Sequence, residues 1–168
     1  GIGRVCQDIM ELPLSYNNAR EAVSYRVIYG SSRAINMKEI VPGKVSEFYP
    51  INDEELSNLF KTIRLSTQEE IIKAADKYLE QVSLATKSLQ QHHIFIMGLV
   101  SELYKFAANS EIEADDYLGD MRKLYSHLLD MELDALGKWL VDISLAFHDR
   151  LTSARSSSTR SFVSKAVK

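Results

Sequence analysis

Proline, cysteine and long apolar runs are scarce in this chain of 168 residues. The longest fully apolar run covers the seven residues from Ile94 to Val100, whereas a transmembrane helix needs about 20. No basic and then apolar leader opens the chain, so we expect neither a membrane segment nor a signal peptide. The single cysteine, Cys6, cannot form a disulfide within the chain. This favours a reducing compartment, and we expect a cytoplasmic protein.

A marked excess of either charge is also lacking. The formal net charge is −3, with 45% apolar and 26% charged residues. These fractions are ordinary for a globular chain and exclude collagen-like, mucin-like and wholly disordered proteins. The small negative charge gives no reason to expect nucleic-acid binding by the chain as a whole.

The prolines divide the chain. Pro13, Pro42 and Pro50 all lie in the first 50 residues, and no proline follows them. Proline interrupts helices because it lacks a backbone N–H and its ring clashes with the preceding turn. A long proline-free stretch with apolar residues at helical spacing predicts helices joined by short turns. We therefore divide the chain near Pro50 into a mixed α/β segment and an all-helical segment.

The first segment has the pattern strand, helix, strand. Strands are predicted over 2–5 and 33–40. Between them a helix is predicted from Pro13, which suits a first turn, to Gly30, a natural stop. Its apolar face consists of Leu12, Tyr16, Ala19, Val23 and Val27. So short a β-α-β unit cannot bury a core, and we expect a remnant of a larger domain with an exposed apolar helix face.

From residue 51 the apolar spacing predicts a helical bundle. Capping boxes are expected at Asn52 with Glu55 and at Ser66 with Glu69. The helix over 91–108 is apolar nearly all round, which is typical of a buried central helix. A polar connection over 109–116 and a short helix over 121–131 are expected after it.

The last long helix carries an apolar stripe that is the candidate dimer or relay face. The stripe consists of Leu136, Leu140, Ile143 and Phe147. The same spacing fits a seam inside the core of one chain, so both alternatives stay open. Beyond the stripe, the Ser- and Arg-rich stretch 152–159 predicts a hinge, and a helical pattern restarts at 160.

Positive charge is concentrated at the end of the chain. Residues 149–168 contain five basic residues and one acidic residue, net +4, so residues 1–148 carry −7. The candidate DNA-proximal basic residues are Arg155, Arg160, Lys165 and Lys168. They suit a phosphate backbone, although a solvated helix end is the commoner meaning of such a run.

Signals for catalysis are weak. The sequence shows no phosphate-binding glycine loop, no nucleophile elbow and no metal-type cysteine pair. His92 and His93 are neighbours, about 100° apart on a helix, and cannot hold one metal together. We therefore expect no enzyme, no metal and no cofactor. Tyr104, Phe106 and Trp139 could line a ligand pocket, although aromatic residues at helical spacing are more often core.

One stretch resembles a known protein family. Residues 15–30 (SYNNAREAVSYRVIYG) resemble a recurrent segment of Gram-positive two-component response regulators with an AraC-type DNA-binding domain. The motif residues are Ser15, Tyr16, Ala19, Ala22, Tyr25, Arg26 and Gly30. The start of the chain resembles the last core strand of a degenerate GGDEF-like domain, and 33–40 resembles its final strand. The segment 160–168 is similar to the lead into the first helix of the AraC-type domain.

The resemblance implies a domain organisation. Residues 1–50 would be the C-terminal β-α-β part of the GGDEF-like domain, and 51–155 a helical linker and dimerisation domain. Residues 156–168 would be a hinge and the start of the first DNA-binding helix. A receiver addressed by a sensor histidine kinase and two DNA-reading helix-turn-helix motifs would lie outside these residues. Membrane-anchored AraC-type regulators have a similar middle segment, so the input domain stays open.

Two functions follow as hypotheses. The first is the central signal-relay region of a transcription regulator that acts as a homodimer. The second is a small-molecule sensor domain of the same kind of regulator, with its pocket around Tyr104, Phe106 and Trp139.

Overall fold

The computed structural model describes residues 1–38, 40 and 53–166, and the side chains of these except 53 and 157–166. The chain is mainly helical, as predicted. None of the helices described combines the length and the apolar character needed to cross a bilayer.

The N-terminal segment is helical rather than β-α-β. A 3-10 turn over Ile9–Glu11 leads into α1 (Leu12–Ser24) and the short α2 (Arg26–Tyr29). No strand forms in the described residues, so both predicted strands are wrong. One parallel bridge joins Ile2 to Asn36, through Ile2 N donating to Ile35 O at 2.8 Å and Met37 N donating to Ile2 O at 3.0 Å. A lone bridge has too few neighbours to build a sheet.

Helices α3 (Asp53–Leu65) and α4 (Gln68–Ala85) form a hairpin. The capping box of α4 lies one residue beyond the predicted one. Thr67 accepts from the backbone of Glu70, and Glu70 accepts from Thr67 N at 3.1 Å. These bonds hold the pKa of Glu70 below its usual value. Asn52, the predicted cap of α3, lies outside the described residues.

Helix α5 (Leu89–Asn109) starts at a capping box of Ser88 and Gln91. It buries one broad face of eight residues, as expected for a central helix, but its apolar character extends to a side that solvent reaches. Met97 is 58% exposed, and Gly98 beside it is exposed with open space around it. Solvent reaches this side because α5 packs mainly on α7 (Met121–Leu129) and the single turn α6 (Ala114–Tyr117).

The last helix, α8, runs from Leu133 to Ala166. Its 34 residues extend about 51 Å at 1.5 Å per residue. It continues through 152–159, where we expected a break. That stretch contains no glycine or proline, and its Ser, Thr and Arg residues tolerate helix, so nothing in it forces a break.

The core lies between α3, α4, α5, α7 and α8. Its largest fully buried side chains are Tyr78, Phe95, Phe147, Leu59, Ile63, Ile71, Ile96, Leu99, Leu103, Leu128, Leu136 and Leu140. Phe106 stacks on Phe60 and on Phe147, with ring centroids 4.7 and 5.5 Å away. His148 Nδ1 lies 2.9 Å from Ile63 O, which ties the middle of α8 to the end of α3.

Candidate functional site

The motif residues at the start of α1 pack against the N-terminal segment. Ser15 Oγ donates to Arg4 O at 2.6 Å. A Cβ added at Gly1 would lie 2.1 Å from Ala19 O, and one added at Gly3 would lie 2.1 Å from Ser15 O. Only glycine permits so close an approach of two backbones. The N-terminal segment therefore packs directly on the backbone of α1 at the small motif residues Ser15 and Ala19.

Further along, the motif residues enter a second, smaller apolar cluster. Ala22 and Tyr25 are buried there with Ile35 and Ile40, and Leu89 of α5 packs against them. The Tyr25 ring stacks on Tyr29 at 6.1 Å. Burial raises the pKa of Tyr25, and the nearby Glu21 raises it further. This cluster connects the N-terminal segment to the beginning of α5.

The end of the motif touches the connection between α7 and α8. Arg26 Nη2 lies 4.0 Å from Asp130 Oδ1. Ser31 N donates to Glu132 Oε2 at 3.3 Å. Gly30 has φ +79°, a conformation that favours glycine, and it turns the chain so that Ser31 faces Glu132. Asp130 is the C-cap of α7, and Glu132 immediately precedes Leu133, the first residue of α8.

The N-terminal segment also carries many apolar side chains that are exposed. Its exposed apolar side chains are Ile2, Val5, Ile9, Met10, Leu12, Leu14, Tyr16 and Val23. Met10 is 82% exposed and the motif residue Tyr16 is 65% exposed. Leu12, Tyr16 and Val23 share one side of α1 at helical spacing, and exposed apolar surface of this kind favours an interaction site. Of the predicted helix face, Leu12, Tyr16 and Val23 are exposed, whereas Ala19 is half-buried and Val27 is buried, so the prediction of an exposed face is confirmed only in part.

The predicted dimer or relay face lies in the core rather than on the surface. Leu136, Leu140 and Phe147 are fully buried and Ile143 is 7% exposed, all inside the core of one chain. Their burial matches the alternative interpretation, in which the stripe is a seam inside the core of one chain. They cannot form a dimer face without unfolding the bundle, so as an exposed dimer face the prediction is wrong.

The predicted basic residues lie on or beyond the C-terminal half of α8. Arg155 is exposed on that helix. Arg160 and Lys165 are within α8, but their side chains are not described, and Lys168 lies outside the described residues.

In the described part of the chain, neither the groove at Tyr104 nor the groove between α4 and α8 is lined by all three aromatic residues of the sensor hypothesis. Tyr104 donates its hydroxyl to Gly119 O and borders an open groove of about 770 Å³. Burial, and then Asp115, raise the pKa of Tyr104. Phe106 is a core residue, and Trp139 lines neither that groove nor the one between α4 and α8.

Two of the histidines, His92 and His148, have structural contacts, whereas His93 and His127 are exposed. His92 is fully buried, with Nε2 3.3 Å from Leu129 O, and its Nδ1 has no partner among the described residues. Sequence analysis missed this role, although His92 shares a helical face with Phe95, Ile96 and Leu99. In the described part of the chain, no three His, Cys, Asp or Glu residues are placed to hold a metal.

Comparison with protein-family models, with curated proteins and with solved structures found no match to this chain.

Proposed function

We propose that this chain is the central signal-relay region of an AraC-type response regulator in the cytoplasm. In this proposal it acts as a homodimer. A receiver addressed by a sensor histidine kinase supplies the signal, and a helix-turn-helix module reads DNA. The chain itself carries out no reaction. It passes the state of the receiver to the DNA-reading module.

The observation that carries the proposal is the contact of the motif, and of the residue that follows it, with the connection between α7 and α8. Arg26 and Ser31 meet Asp130 and Glu132, just before the helix begins. The Arg26–Asp130 pair is exposed, with side-chain exposures of 42% and 85%, so it stabilises the fold by less than about 1 kcal/mol. A contact this weak can break and re-form with the input, and it would supply part of a coupling free energy that is typically about 1–3 kcal/mol.

Helix α8 is suited to transmit such a shift. Its first half is held in the core by Leu136, Leu140 and Phe147, and His148 binds it to α3. Its second half continues without a break towards the basic end of the chain. A rigid helix carries a rotation or translation along its length. The exposed apolar face of the N-terminal segment would then be where the remainder of the input module packs.

The genomic reading frame around these residues tests the class of protein. We expect an Asp-bearing receiver before residue 1 and two helix-turn-helix motifs after residue 168. A frame that encodes neither module would contradict the proposal.

The relay itself is tested in the intact regulator with the double variant Arg26→Ala, Glu132→Ala. We expect a loss of phosphorylation-dependent transcription from a promoter reporter, with DNA affinity of the unphosphorylated protein unchanged. Arg20→Ala, an exposed arginine of α1, is the matched control. A full phosphorylation response in the double variant would show that this contact carries no signal.

A further inference from the structure

A groove of about 530 Å³ lies between α4 and α8, outside the contacts used above. Its floor is apolar and its edges are charged. The floor consists of Leu79, Leu133, Gly137 and Val141, and the edges of Asp76, Asp134, Lys138 and Asp142. A Cβ added at Gly137 would lie 3.1 Å from Leu79 Cδ1, so the glycine lets the two helices approach closely at this floor.

The edges of the groove are acidic. Three carboxylates and one ammonium group give the lining a net charge of −2. Asp76, Asp134 and Asp142 are exposed, and none of them forms an ion pair with a described residue. An apolar floor between unpaired carboxylates fits a helix that carries both basic and apolar residues.

The chain contains one segment with that chemistry. Residues 149–168 carry net +4, against −7 for residues 1–148. Phe162, Val163 and Ala166 follow one another there at helical spacing. The C-terminal segment and the groove are therefore complementary in charge and in apolar character.

The segment cannot reach the groove of its own chain. Both are parts of α8, which is continuous from Leu133 to Ala166. Gly137 and Arg160 are separated by 23 positions in the sequence, or about 35 Å along a helix. A second copy can supply the segment, and a two-fold axis would then fill both grooves with identical contacts.

We propose that the groove between α4 and α8 binds the basic C-terminal part of α8 from a second copy of this chain. The proposal rests on the homodimer of the proposed function and names its surface. It replaces the buried stripe of Leu136, Leu140, Ile143 and Phe147 as the site of dimer contact.

The test is the dimer dissociation constant of the 168-residue chain, measured by sedimentation equilibrium. The groove variant Asp76→Lys, Asp142→Lys is expected to weaken the dimer about tenfold or more, as loss of about 1.4 kcal/mol would. The C-terminal variant Arg160→Glu, Lys165→Glu is expected to do the same. When the two variants are mixed, the groove that carries lysines can bind the C-terminal segment that carries glutamates. The other groove and the other segment keep their parent charges, so a heterodimer is expected to form again.

Asp115→Lys, Asp116→Lys is the matched control, because both carboxylates are exposed and lie outside the groove. It is expected to leave the dissociation constant unchanged, and far-UV circular dichroism checks that each variant folds. A monomeric parent chain at tens of micromolar overturns the inference. A dimer that neither groove nor C-terminal variant weakens also overturns it, yet leaves a homodimer through another surface. Failure of the mixed variants to associate excludes the C-terminal segment as the occupant.

Discussion

Burial of His92 predicts a pH-dependent stability that one substitution should abolish. The side chain is 0% exposed, between Phe95 and the end of α7. Burial lowers the pKa of His92 below its ordinary value of 6.5, although the hydrogen bond to the Leu129 carbonyl acts in the opposite direction. Well above pH 6.5 the imidazole is neutral in both the folded and the unfolded chain, so protonation of His92 does not reduce the free energy of unfolding there.

The sign of the effect follows from proton binding. As the pH falls below 6.5, the unfolded chain takes up a proton at His92 more readily than the folded chain, whose His92 pKa is lower. The free energy of unfolding therefore falls with pH until the folded pKa is reached. One proton corresponds to at most about 1.4 kcal/mol per pH unit. Between pH 7.5 and 5.5 the loss from this residue reaches up to about 1.4 kcal/mol.

Urea unfolding at several pH values, followed by fluorescence of the single tryptophan, measures this slope. His92→Gln removes the titration while its amide N–H can still donate to the Leu129 carbonyl. We expect a lower stability at pH 7.5 and a flatter dependence between pH 7.5 and 5.5. His93→Gln, at the exposed neighbouring position, is the control and should keep the slope of the parent. An unchanged slope in His92→Gln would refute the reasoning.

Three further substitutions test the packing through the free energy of unfolding in urea. Thr67→Ala removes the cap of α4 and should cost about 1 kcal/mol; no loss would mean that the capping box contributes nothing. Gly98→Ala adds a methyl group in open space and should stabilise α5 by about 0.5–1 kcal/mol, whereas Gly137→Ala should gain less because Leu79 must move. Phe147→Ala should cost about 3–5 kcal/mol, and a loss below 1 kcal/mol would contradict its place in the core.

The helices of the bundle were predictable because their signals are local. The capping pattern and apolar spacing around α4 placed its start within one residue. The shift from Ser66 to Thr67 moves the capping box from the expected pair Ser66 and Glu69 to Thr67 and Glu70. The run from Ile94 to Val100 marked α5 in the same way. Its outer side was not predictable, because exposure of Met97 depends on which helices pack around α5.

The candidate site was predictable only in part. The motif from Ser15 to Gly30 was found from its resemblance, but nothing local connects Arg26 to Asp130, since the two residues are separated by about a hundred positions. The strand predictions failed because alternating residues form a strand only when neighbouring strands accept their hydrogen bonds. Here Ile2 and Asn36 make a single bridge.

The amino-acid order alone determined the helical class and the contrast between an acidic body and a basic end, whereas the division near Pro50 stays a prediction. These properties depend on backbone chemistry, on the spacing of nearby residues and on the number of charges, none of which depends on tertiary contacts. Tertiary packing alone decided that the stripe from Leu136 to Phe147 is core, that His92 is buried, and that an acidic groove opens beside Gly137. A helix shows which residues share a face, but only its neighbours determine whether that face meets protein or water.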